Sequence, residues 1–71
     1  MLTTGQRIKK LRQAHGYSRE RLSEIINCHP TAISLWESDS RLPRADNLLR
    51  LASALDVSIV ELLTGGGDEN G

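Results

Sequence analysis

Leu22-Ser23-Glu24-Ile25-Ile26-Asn27-Cys28-His29-Pro30-Thr31-Ala32-Ile33-Ser34-Leu35-Trp36-Glu37 is the stretch on which the fold turns. Leu22, Ile25 and Ile26 fall at i, i+3, i+4, the spacing of one helical face. Asn27 follows. Asparagine enters the left-handed backbone region more readily than most non-glycine residues, so a tight turn is expected there. Pro30 suits the first position of another helix, where its missing N–H costs nothing. In that helix Ile33 and Trp36 are three apart and face inward, with Ala32 beside them. Thr31, Ser34, Leu35 and Ser38 are left on the outer faces. The stretch therefore reads as two short helices, a tight turn between them and a polar outer face on the second.

Further helices flank this pair. Upstream, a helix is expected from about Thr4 to His15, capped by Thr3 or Thr4, with Thr3 and Gln6 spaced as a capping box. Ile8 and Leu11 share one of its faces, preceded by Met1 or Leu2. Gly16 stands where a helix commonly ends in a left-handed residue. Ser18 is placed to cap the Leu22 helix, with Glu20 near its positive end. Downstream, Ser38-Asp39-Ser40-Arg41-Leu42-Pro43 reads as a loop. A fourth helix follows over about Ala45 to Leu55, with Leu48, Leu51, Ala52 and Leu55 in one stripe. Ser58 and Glu61 form a second capping-box pattern, and Val57 with Leu62 occupies the staple positions around it. That opens a short fifth helix ending near Leu63. The expected division is a folded domain over 1–64 and a polar, glycine-rich tail or linker start over 65–71.

Bulk properties narrow the function classes. A chain of 71 residues is one domain with a modest core. Cys28 is the sole cysteine, so no internal disulfide forms, and a lone thiol suits a reducing compartment. The N-terminus has no apolar signal region and no apolar run approaches membrane-spanning length, so a soluble cytoplasmic protein without a membrane partner is expected. The net charge is zero but unevenly spread. Residues 1–21 carry Arg7, Lys9, Lys10, Arg12, Arg19 and Arg21 against Glu20 alone, a net +5; the remainder carries Arg41, Arg44 and Arg50 against eight carboxylates, a net −5. Such a split creates a basic face that the total conceals. No nucleophile–base set, paired carboxylates or phosphate loop is visible, so no catalytic residue and no cofactor are expected. Cys28 and His29 are adjacent with no second cluster, which does not make a metal site. Trp36 is expected in the core, Cys28 as a small turn or core residue, and His15 as a solvated helix-end residue.

Two short helices with a tight turn and a polar outer face meet the physical requirements of a helix-turn-helix. The residues also carry a family resemblance. Ile8-Lys9-Lys10-Leu11-Arg12, Gly16-Tyr17-Ser18, Leu22-Ser23, Thr31 through Glu37, Arg41-Leu42-Pro43, Leu48 through Ser58 and Glu61-Leu62-Leu63 occur in order and at family spacing. Over residues 4–63 the chain resembles the Cro/C1-type (XRE) helix-turn-helix domain of phage repressors and bacterial regulators. The resemblance implies an all-α, compact five-helix lambda-repressor-like DNA-binding domain in which helices 2 and 3 form the reader.

It also implies roles. Thr31, Ser34 and Leu35 occupy base-reading positions, with Pro30 at the helix tip. Ser18, Arg19, Ser38 and Arg41 fall where the family contacts phosphates. His29 stands at a cap where the family favours Ser or Thr, and is grouped with the phosphate contacts. Arg12 and Glu37 match a structural ion pair. Four positions depart from the family pattern: Arg19 replaces a frequent Gln, Asn27 and Asp39 stand at turn positions, and Leu35 replaces the usual Arg, Gln or Lys. A leucine packs only on a thymine methyl, so direct readout is thin: either specificity leans on DNA shape and deformability, or the domain binds modestly. Ile59, Val60 and Leu63 either complete the core or form a homodimer contact, as in several family members. Two functions follow as expectations: a sequence-specific double-stranded DNA-binding regulator of transcription, acting as a homodimer on a palindromic or near-palindromic operator, or a protein-interaction module such as an antitoxin or adaptor on the same scaffold.

Overall fold

The computed structural model describes residues 1–65; the expected tail lies outside them from position 66 onward. Five helices are formed: α1 (Thr4–Ala14), α2 (Arg19–Ile26), α3 (Pro30–Glu37), α4 (Ala45–Ala54) and α5 (Ile59–Thr64). Among the described residues none is long and apolar enough to cross a membrane. Local chemistry sets most of the starts. Thr3 and Gln6 make the full reciprocal capping box, Ser18 accepts from the Arg21 N–H, and Ser58 accepts from the Glu61 N–H. Pro30 opens α3, and the imidazole of His29 caps it. Only α4 begins without a side-chain cap; Asp46 in its first turn complements the helix dipole instead.

The stops use a single device. Gly16, Asn27, Asp39, Asp56 and Gly65 all have positive φ. After the first four, the next N–H reaches back five residues: Tyr17 to Arg12, Cys28 to Ser23, Ser40 to Leu35 and Val57 to Ala52. Each closure satisfies a carbonyl that the helix end would otherwise orphan.

Helix α1 packs on α3 and α5, α2 on α3 and α4, and α4 on α5. Their shared core is Ile8, Leu22, Ile26, Ile33, Trp36, Leu51, Ala52, Leu55 and Leu62. Two sequence expectations need correcting. Ile25 is 40% exposed, and the inward face of α2 is Leu22, Ser23 and Ile26. The buried Ser23 hydroxyl donates to the Glu20 carbonyl at 2.6 Å, which removes the cost of burying it. Leu11 is only half-buried, and Met1 and Leu2 lie on the surface. His15 is exposed at the end of α1, as expected, and it also makes contacts the sequence does not show: its Nε2 donates to the Leu55 carbonyl at the end of α4, 2.9 Å away, and its ring stacks on Tyr17.

Candidate nucleic-acid interface

The N-terminal turn of α3 is built by His29 and Pro30. Nδ1 of His29 accepts the Thr31 N–H at 3.1 Å, which leaves Nε2 with no partner among the described residues. Pro30 is half-buried beneath this turn. From there, Ile33 (0% exposed) and Trp36 (6%) anchor α3 in the core. Thr31 and Ser34 consequently face outward, both exposed. Leu35 is half-buried, so it presents less apolar surface than its outer position in the sequence promises. Its carbonyl is busier than its side chain, accepting from the Ser40 and Arg41 N–H groups and from the Ser38 hydroxyl. Ser38 Oγ also lies 2.8 Å from Ser40 Oγ. The loop carrying Ser38 and Arg41 is thus folded onto the last turn of α3, and the Arg41 side chain is exposed. Seven residues of helical rise place Thr31 and Ser38 about 10 Å apart, toward opposite ends of one element.

Arg12, Arg19 and Glu37 meet at the other side of that last turn. Arg12 donates through Nε to Glu37 Oε2 at 2.6 Å and through Nη2 to Oε1 at 3.2 Å. Its Nη1 donates to the Tyr17 carbonyl. Both side chains are nearly sealed, 8% and 3% exposed. Arg19, the first residue of α2, adds its Nε to Oε1 of the same carboxylate at 3.0 Å. Sequence patterning gives no sign of this third member, because a 1–2–3 helix junction leaves no periodic trace. Ser18 spends its hydroxyl on the Arg21 N–H. Of the residues expected to contact phosphate, Ser18 and Arg19 sit at the start of α2, and Ser38 and Arg41 at and just past the end of α3. The Arg12–Glu37 pair couples the two.

Asp39 also escaped the sequence reading as a site residue. Its Oδ1 accepts the Gly5 N–H at 2.9 Å and its Oδ2 accepts from the Thr3 hydroxyl at 2.6 Å. One carboxylate just past α3 thereby caps α1 from 34 residues away, fixing the angle between the two helices. Cys28, in the turn before α3, is half-buried and takes part in no disulfide. Burial pushes its thiol above the ordinary value, and the charge of Arg50 offsets part of that rise. Among the described residues no group of three or more His, Cys, Asp or Glu side chains is placed to hold a metal.

Comparison with known proteins agrees with this geometry. Residues 8–62 match a helix-turn-helix family profile. The chain is 37% identical over 68 residues to the HTH-type transcriptional regulator ImmR of Bacillus subtilis, covering 96% of this chain and 52% of ImmR. The chain spans about half the length of the curated relatives ImmR and YobD. Among solved structures, the P22 c2 repressor bound to a synthetic operator superposes with a TM-score of 0.88 at 32% identity, over 92% of this chain and 98% of that one. SinR, a master regulator for biofilm formation solved in complex with DNA, gives 0.79 at 33% identity, over 84% and 97%.

Proposed function

Since the chain belongs to the Cro/C1-type (XRE) helix-turn-helix family, we propose that it is a sequence-specific regulator of transcription, of the repressor kind, that lays α3 in the major groove of double-stranded DNA. One observation carries the reading: Ile33 and Trp36 are held in the core while Thr31 and Ser34 stand exposed on the opposite face of the same helix. The P22 c2 repressor, which carries the same fold, is bound to operator DNA, and that likeness supports the assignment. In this reading Thr31 and Ser34 contact base edges and Leu35 packs on a thymine methyl, with Pro30 at the tip. Ser18, Arg19, His29, Ser38 and Arg41 contact phosphates, which set register without reading sequence. The domain is taken as 1–64.

The test is a selection of bound sequences from a random duplex pool, followed by titration across salt. An enriched site, and affinity that falls steeply as salt rises, are expected. Thr31→Ala and Ser34→Ala change the enriched sequence more than the overall affinity. Arg41→Ala lowers the salt slope by about 0.9, one phosphate's worth of released counterion. No binding above background at low salt would retire the DNA reading in favour of a protein-interaction module on this scaffold.

Pairing of two copies through α5 extends the proposal. Val60 (56% exposed) and Leu63 (40%) leave apolar surface on that helix, whereas Ile59 packs against the core. Sedimentation of Val60→Asp against wild type, with and without operator, tests it: loss of a dimer is expected, and identical profiles exclude the α5 contact.

A further inference from the structure

Glu37 closes the reading helix with a side chain only 3% exposed, yet two arginines share its carboxylate. Arg12 alone suffices to compensate the charge. Its Nε and Nη2 engage both carboxylate oxygens, the fork geometry in which guanidinium and carboxylate pair most strongly. Arg19 is therefore not needed to neutralise Glu37. It joins through Nε only, 3.0 Å from Oε1, and its side chain remains 42% exposed. A guanidinium carries five N–H donors, one on Nε and two on each Nη. Binding through Nε fixes the plane of the group. It leaves Nη1 and Nη2 of Arg19 with no partner among the described residues, at the start of α2 beside Ser18.

We propose that Glu37 is a positioning residue for phosphate recognition: by holding Arg19 through Nε, it presents both Nη groups to a DNA phosphate in a fixed orientation. This rests on the DNA-binding reading given above. The same carboxylate ties Arg12 on α1, Arg19 on α2 and the end of α3 into one unit, so the phosphate anchor and the base-reading face share a single register. An untethered arginine must be ordered at the moment of binding, which costs about 2- to 12-fold in affinity. Plain electrostatics has the opposite sign. Glu37 repels phosphate, so removing its charge without a positioning role tightens binding.

The experiment is fluorescence anisotropy of the full chain with a labelled mixed-sequence duplex over a salt series, at a temperature where circular dichroism shows every variant folded. Wild type is compared with Arg19→Gln, Glu37→Gln, the double variant and Arg19→Lys. Arg19→Gln is expected to lower the salt slope by about 0.9. Glu37→Gln is expected to weaken binding about 2- to 12-fold despite its gain in positive charge, and to add nothing once Arg19 is already Gln. Arg19→Lys keeps the charge on an exposed helix start but cannot hold Glu37 and a phosphate together. It is expected to keep the slope and lose a similar factor, and it decides the question if Glu37→Gln does not fold. Unchanged or tighter binding by folded Glu37→Gln, full activity of Arg19→Lys, or an unchanged slope in Arg19→Gln each overturns the proposal while leaving DNA binding standing. Absence of salt-dependent binding by wild type removes the DNA reading itself, and this proposal with it.

Discussion

Replacing Gly5 by alanine inverts the usual rule for helices. In a helix, alanine is ordinarily favoured over glycine by about 0.5–1 kcal/mol. Gly5, however, is buried in the first turn of α1, where that helix meets the end of α3. A Cβ there lies 2.3 Å from the Trp36 carbonyl oxygen, 2.7 Å from that of Glu37 and 2.7 Å from Asp39 Oδ1. Two of these atoms are main chain and cannot rotate away. Restoring ordinary contact requires α1 and α3 to separate by about 1 Å. Overpacking of this kind costs about 1–3 kcal/mol. The shift also stretches the bond from the Gly5 N–H to Asp39, and a hydrogen bond to a charged group contributes about 1.5–3 kcal/mol when intact. With partial loss of that bond, and after subtracting the helical gain, the net destabilisation is about 2 kcal/mol. For a domain of this size the melting temperature then drops by about 8–16 °C. Thermal unfolding followed by far-ultraviolet circular dichroism measures it directly. Gly16→Ala is the control: its Cβ meets nothing within 4 Å, and only its φ of +73° is strained, a cost of about 1 kcal/mol. Should Gly5→Ala melt at or above the wild-type temperature, close approach at Gly5 does not set the spacing of α1 and α3.

Three further outcomes follow from the same contacts. Arg12→Ala strips the buried Glu37 of its bidentate partner and leaves it the single bond from Arg19, so in urea unfolding it is expected to cost somewhat less than the about 3–5 kcal/mol of a wholly unpaired buried charge, most of it recovered when Glu37→Leu is added; a cost no smaller in the double variant contradicts the pairing account. Asp39→Gly relieves the positive φ of 62° but deletes the bonds to Gly5 and Thr3. Asp39→Ala deletes the bonds and keeps the strain, so it should be the less stable of the two by about 1 kcal/mol, and equal stabilities would show that position 39 is unstrained. Because burial raises the Cys28 thiol, less thiolate is present at a given pH. Iodoacetamide at pH about 8 should therefore label the folded chain more slowly than the urea-unfolded one, with equal rates arguing against the burial.

What was legible in the sequence was local. Thr3 with Gln6, Ser18, Pro30 and Ser58 act within three residues, and each forms the helix start that its spacing indicates. The inward pair Ile33 and Trp36 was equally plain, because no other face of α3 is apolar enough to bury. On α2 the pattern was ambiguous. Leu22, Ile25 and Ile26 fit a helical face as well as Leu22, Ser23 and Ile26 do, and hydrophobicity alone favours the first. The structure takes the second, and the Ser23 hydroxyl, satisfied on the Glu20 carbonyl, carries no cost of burial. The illegible contacts span the chain. Thr3 and Gly5 reach Asp39, Arg7 reaches the carbonyls of Leu62 and Leu63, and His15 reaches Leu55. Each joins a side chain to the end of another helix, where orphan backbone groups wait for any suitable partner. Which partner arrives depends on tertiary packing, so periodicity carries no record of it.

The composition of the proposed reading face gives those long-range contacts their functional weight. Thr31 and Ser34 carry hydroxyls that both donate and accept, so in the proposed complex they tell one base from another only weakly. Leu35 is half-buried and offers little more than a methyl-sized contact. A face that discriminates weakly atom by atom depends on being held at one height and angle, since a shift of about 1 Å exchanges a hydrogen bond for a water-filled gap. That constancy comes from Asp39 bridging α3 to α1 and from Glu37 gripping Arg12 and Arg19. Substitutions in this frame should therefore alter the preferred DNA sequence as well as the affinity, although none of the three frame residues Arg12, Glu37 and Asp39 is assigned a base contact.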